Sequence, residues 1–209
     1  MTRARPVSPA RLVDELAARI AALPGAPWLR VGIDGAPSSG PGELADALVG
    51  LLRVRGRAAV RVSTEDFLRP ASLRLELGRR NPDSFYERWY DLAALRREVL
   101  DPLGTNGSGR ILTTFWDPSI DRSTRAAYQP VPPNGIVLLS GPLLLGTGLD
   151  LDFTVHCGQS AAALARRTSE ADRWTLPAYE RYAEEVMPEL LADVVLRVDD
   201  PRHPALIES

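Results

Sequence analysis

The chain has 209 residues, 44% of them hydrophobic, with 25 arginines, no lysine and 27 acidic residues, for a formal charge of −2. That length supports one substantial core and would crowd two, and the slightly acidic balance speaks against a general nucleic-acid binder, which needs a clear basic excess. A single cysteine, Cys157, excludes an internal disulfide framework, and His156 and His203 lie too far apart for a zinc motif.

In chain order, Ser8-Pro9 is a helix-start signal, and Leu12, Leu16, Ile20 and Leu23 follow at helical spacing until Pro24-Gly25, which predicts a helix over 8–23. Residues 28–34 read as a buried strand, 43–54 as a helix and 58–63 as a second strand. This second strand delivers Thr64, Glu65 and Asp66 at its carboxyl end, where open α/β sheets bind ligands. A polar, arginine-rich stretch to Asn81 precedes a helix over 92–100. A strand over 110–115 follows, and then loop 116–134 with its four prolines. Strands over 135–140, 153–156 and 194–198 and helices over 160–167 and 178–191 complete the pattern. Strands alternating with helices predict an α/β fold: a three-layer, mostly parallel, doubly wound sheet in one domain over 1–209. The most apolar run, 136–149, is short and broken by Gly141, Pro142, Gly146 and Gly148, too little to span a bilayer. The start, MTRARPVSPARL, has no apolar signal core. We therefore expect a cytoplasmic protein with no membrane partner.

The segment VGIDGAPSSGPGELADAL has the outline of a phosphate-binding loop between a strand and a helix. On the pattern G-x-x-x-x-G-K-[ST], Gly35 and Gly40 take the glycine positions, Pro41 the lysine and Gly42 the hydroxyl residue. Such a turn is a ready anion site because backbone N–H groups and the helix dipole converge there. Here Pro41 removes a donor, the lysine charge is absent and Glu43 adds a carboxylate. A unit charge about 5 Å from a phosphate, at an effective dielectric of about 20, is worth roughly 3 kcal/mol. These exchanges would therefore cost orders of magnitude in affinity. The same residues also suit a plain strand-to-helix connection, with Pro41 early in the helix and Glu43 satisfying its dipole.

The order of motifs along the chain resembles the uridine kinase and phosphoribulokinase branch of P-loop kinases. The resemblance rests on the loop, Asp66-Phe67 in STEDFLRP, NPDSFYERWYDLAAL, ALARRTSEADRW and YERYAEEVMPELLADVVLRVDDPRHP. It implies that Asp66 is the general base on a nucleoside hydroxyl and a magnesium ligand. It implies a phosphate loop of Gly35, Ser38, Ser39, Gly40 and Gly42, and a substrate pocket with Phe67, Arg69, Tyr86, Tyr90, Asp91 and Arg122. A lid-like segment over about 160–176 would clamp phosphates with Arg166, Arg167 and Arg173, whose planar forks suit phosphate oxygens. Trp89 suits a core position better than the pocket. The chain departs from the family at Ser140, where a glutamate is expected beside the metal, as well as at Pro41 and Gly42. ATP and Mg2+ are thus its cofactors only if kinase activity is retained.

Three readings follow. The first is a degenerate Walker A relative that binds a nucleoside, nucleotide or other phosphorylated small molecule with Mg-ATP transfer impaired or lost. The second is an active nucleoside or small-molecule kinase using lid arginines in place of lysine. The third is a non-catalytic interaction module, with the space between Gly40, Asp66 and Arg166 filled by side chains. Each leaves a homo-oligomer open.

Overall fold

The computed structural model describes residues 3–24 and 27–208. Gly25, expected to end the first helix, lies outside the described residues. Edge strand β1 (Arg3–Pro6) leads into helix α1 (Pro9–Ala22), which carries Pro9 in its first turn and buries Leu12, Leu16, Ala17 and Ile20. Strand β2 (Leu29–Asp34) feeds the glycine-rich loop and α2 (Pro41–Val54); β3 (Ala59–Ser63) follows. Three short helices come next, α3 (Ala71–Arg74), α4 (Pro82–Arg88) and α5 (Leu92–Leu95). The α5 helix widens into a π turn over Arg96–Leu100. Four two-residue strands form small hairpins, β4 (Arg110–Ile111) with β7 (Gln129–Pro130) and β5 (Trp116–Asp117) with β6 (Arg122–Ser123). The chain ends with β8 (Ile136–Gly141), β9 (Phe153–Gly158), α6 (Ala161–Arg167), α7 (Leu176–Glu185), α8 (Pro188–Leu191), β10 (Val194–Arg197) and β11 (Ala205–Glu208).

The main sheet runs β1-β11-β10-β9-β2-β8-β3. Its five central strands are parallel, and β11 and β1 add antiparallel at one edge. Strand β8 shows why the sheet is covered on both faces. Ile136 and Leu138 join the cluster under α1 and α2, while Val137 and Leu139 join one with Leu95, Val99 and Leu100. Each such wholly buried side chain stabilises the fold by roughly 2 kcal/mol. This is the expected α/β three-layer, mostly parallel sheet.

Two expected elements change. The strand over 110–115 shrinks to Arg110–Ile111 outside the main sheet, because the Leu112 N–H bonds Glu98 O at 3.1 Å rather than a strand neighbour. The helix over 178–191 breaks at Met187, which is left-handed at φ 49° ahead of Pro188. A proline disfavours right-handed helical backbone in the residue before it.

The chain leaves β2 for β3 on one side, and later elements return to β9 on the other. The carboxyl end of β2, where the strand order reverses, is the crevice in which such sheets bind ligands.

Candidate functional site

Strand β2 ends on Asp34, which is wholly buried. Its Oδ1 accepts the Leu144 N–H at 2.8 Å, and its Oδ2 faces His156 Nδ1 at 2.6 Å. The parallel register sets Asp34 opposite both Gly141 of β8 and His156 of β9. A buried carboxylate is tolerated here because its oxygens are matched by donors. The chain then turns at Gly35, where a Cβ would lie 2.5 Å from Ser39 Oγ and 2.9 Å from Cys157 O. Glycine lets the loop pass this close to β9.

Residues Pro37–Ser39 form one 3-10 turn, in which the Ser39 N–H donates to Ala36 O at 2.8 Å and the Gly40 N–H to Pro37 O at 3.1 Å. Gly40 is left-handed (φ 76°) and Pro41 opens α2. The loop thus uses two amides on itself, and its two prolines have none. The amides of Ala36, Ser38, Gly42 and Glu43 have no partner among the described residues. Glu43 Oε2 lies 3.5 Å from the place of a Gly40 Cβ, so a negative charge already sits beside these dipoles.

Arg61 enters the site from β3. Its Nε donates to Ser140 Oγ at 3.0 Å, and its Nη1 bonds Asp46 at 2.8 Å. Its Nη2 lies 2.6 Å from where a Gly42 side chain would begin. Strand alternation explains the placement, because Val60 and Val62 face the opposite layer and leave Arg61 pointing at α2. In P-loop enzymes magnesium is held by the hydroxyl of the loop's final Ser/Thr and a strand-end carboxylate. Here Gly42 and Ser140 supply neither, and a guanidinium stands between them. The residues present do not fit the metal. Among the described residues no group of three or more His, Cys, Asp or Glu side chains could hold one.

Two cavities of about 380 Å³ flank the loop. The first is walled by Phe85, Trp89, Tyr90, Trp174 and Tyr179, with Pro37 and Ser38 of the loop and with Glu65, Asp172 and Arg167 as charged groups. The Phe85 ring meets Trp89, Trp174 and Tyr179 edge-on at 5.7 Å each, a preferred aromatic geometry. Tyr90 Oη donates to Glu65 Oε1 at 2.8 Å. Enclosure by the cavity walls raises the Glu65 carboxyl above its ordinary range, the Tyr90 hydrogen bond opposes this, and Asp66 adds to it. Burial raises the Tyr90 phenol well above its ordinary value, so it stays a donor. The second cavity lies between α1, α2 and the turn after β10, against Leu12, Leu44, Pro201 and Pro204. Both share Pro37, Ser38 and Arg167.

Of the residues singled out in the sequence, Ser38, Tyr90 and Arg167 come together at the first cavity. Arg167 docks on the loop, with Nε and Nη2 donating to Ser38 O at 3.1 and 3.0 Å. Ser38 Oγ reaches Gln159 at 2.7 Å, and buried Ser39 bonds back to Ala36 O. Arg166 and Arg173 are exposed and lack a hydrogen-bond or ion-pair partner among the described residues. Asp66 lines neither cavity; burial raises its carboxyl and the Arg61 charge opposes that.

Several expected pocket residues lie elsewhere. Phe67 is wholly buried, stacked on Phe115 at 5.9 Å. Tyr86 faces α7, bonding Glu185 at 3.1 Å under the Arg181 guanidinium. Asp91 caps α5 through the Ala94 N–H. The Arg69 backbone pairs with Trp89 O, and Arg122 is exposed on the β5–β6 hairpin. Trp89, expected in the core, is a cavity wall with the Arg74 guanidinium 5.1 Å from its ring centre. Glu65, Arg61, Phe85, Trp174 and Tyr179 were not anticipated. For Glu65 the signal was its place beside Asp66 at a strand end; for Arg61 it was a charge on an inward strand position.

No protein-family model matches the chain, and no curated protein does. Solved structures do resemble it. One titled as a possible uridine kinase from Bacillus stearothermophilus aligns with a TM-score of 0.71 at 21% identity, covering 89% of this chain and 97% of its own. A putative fructose transport system kinase from Silicibacter sp. TM1040 aligns at 0.56 and 19% identity, covering 86% and 90%. The YGR205w protein aligns at 0.54 and 14%, covering 95% and 96%. The fold is that of the uridine-kinase-like P-loop kinases.

Proposed function

We propose that this chain is a uridine-kinase-like P-loop protein that binds a nucleoside, nucleotide or other phosphorylated small molecule, with ordinary Mg-ATP phosphoryl transfer impaired or lost. The observation that carries this reading is the first cavity. It has an aromatic wall for a flat ring and a Tyr90–Glu65 pair for a sugar hydroxyl, beside a loop with proline at 41 and glycine at 42 and a strand with serine at 140. Flat rings on aromatic faces gain about 1–3 kcal/mol per base, which supports binding without the phosphate clamp. Within this reading Glu65 is better placed than Asp66 to accept a hydroxyl proton, since it faces the cavity. The cavity tryptophans supply the test. Nucleosides and nucleoside monophosphates should quench Trp89 and Trp174 fluorescence saturably and lose that effect in Tyr90→Ala. No saturable change across the panel would overturn the proposal.

One observation favours a second reading, an active kinase. Arg167 already reaches the loop that lacks its lysine, and two cavities meet at that contact, as a donor and an acceptor site would. A screen for transfer of radiolabelled γ-phosphate from ATP to nucleosides and small alcohols decides it. Transfer that depends on Arg167 supports this reading, and none across the panel removes it.

A further inference from the structure

Three departures from a working P-loop, at Pro41, Gly42 and Ser140, lie in two segments far apart in sequence. The structure joins the latter two through one side chain. Arg61 Nε donates to Ser140 Oγ at 3.0 Å, and Nη2 lies 2.6 Å from the place of a Gly42 Cβ. A threonine at 42 would meet this guanidinium, and a glutamate at 140 would need the space its Nε fills. Asp46, one helical turn beyond Gly42, accepts from Nη1 at 2.8 Å, so two of the three guanidinium nitrogens are bonded. Asp66 feels the same charge, which opposes the effect of its burial. In P-loop chemistry the divalent cation sits between the helix hydroxyl and the strand-end carboxylate.

We infer that Arg61 is a built-in cation standing in the divalent-metal position, and that Gly42 and Ser140 are the small residues that make room for it. The inference rests on the P-loop reading of the site but not on the identity of any ligand. A guanidinium brings one positive charge and directional donors, needs no carboxylate ligands and cannot be removed by chelation. Its presence also repels a second cation, since like charges this close in a partly wet site oppose each other. The site therefore opposes the binding of Mg2+ or Mn2+, and a phosphorylated ligand enters it without metal.

The test uses the metal alone, so it stands apart from whether a nucleoside binds. Mn2+ is titrated into the full chain and the free-ion paramagnetic resonance signal is followed. The wild type should leave that signal unchanged. Arg61→Met with Ser140→Glu, which keeps side-chain bulk while removing the cation and restoring the acid, should bind Mn2+ at least about tenfold more tightly than wild type. Arg61→Met alone serves as a second variant and should also gain affinity, through Asp46 and Asp66 freed from their cation. The inference is overturned if the wild type takes up one Mn2+ as tightly as the double variant and loses it in Asp66→Asn.

Discussion

Asp34 ties β2 to β9 and to the loop after β8 through its two carboxylate oxygens, one on the Leu144 amide and one on His156 Nδ1. Leaving those donors buried without their acceptor is a costly change, so Asp34→Ala should lower stability by about 3 kcal/mol in urea unfolding, more than any exposed carboxylate substitution. Glu65 gives a prediction with a sign in pH. Its folded pKa lies above the ordinary 4.5, so the folded state holds its proton more firmly than the unfolded chain. The penalty is absent well below 4.5 and develops as pH rises through the folded value. Glu65→Gln should therefore raise the melting temperature at pH 7 and leave it unchanged near pH 3, and a gain that is equal at both pH values would contradict the assignment. The identity of the cavity carboxylate was only half legible in the sequence. Glu65 and Asp66 are adjacent, and which of the two faces inward depends on the turn Thr64–Phe67, whose geometry no local pattern specifies.

At the scale of elements, helix α6 is tied to the glycine-rich loop. The two bonds from Arg167 to Ser38 O tie α6 to the turn Pro37–Ser39, and Gln159 adds a third contact through Ser38 Oγ. Arg167→Ala should speed amide exchange in residues 161–175 and in the loop by about fivefold, the worth of one hydrogen bond of about 1 kcal/mol, while β2 and β8 stay protected. The parallel strands were readable as apolar runs because both faces of each are covered. Strands β1 and β11 were not, since an edge pair shows mixed burial and their pairing spans the whole chain. The cavity walls were hidden for a related reason. Phe85 sits on α4, Trp174 in the 3-10 turn Glu170–Thr175 and Tyr179 on α7, and only tertiary packing brings Trp174 and Tyr179 each to 5.7 Å from Phe85.

For the molecule as a whole, the sheet order places the glycine-rich loop at the reversal point, between two cavities of similar size. The loop has four amides without a partner among the described residues, a nearby Glu43 and no lysine, and Arg61 stands between Gly42 and Ser140. Proline at 41, glycine at 42 and serine at 140 were visible in the sequence, residue by residue. The guanidinium that links the last two was not, because Arg61, Gly42 and Ser140 lie on three different elements. The most direct measurement is calorimetric titration of the full chain with ATP, with and without excess Mg2+, beside a nucleoside monophosphate. The account predicts that ATP binds weakly or not at all and that Mg2+ leaves both titrations unchanged. Tight ATP binding that requires Mg2+ would contradict it.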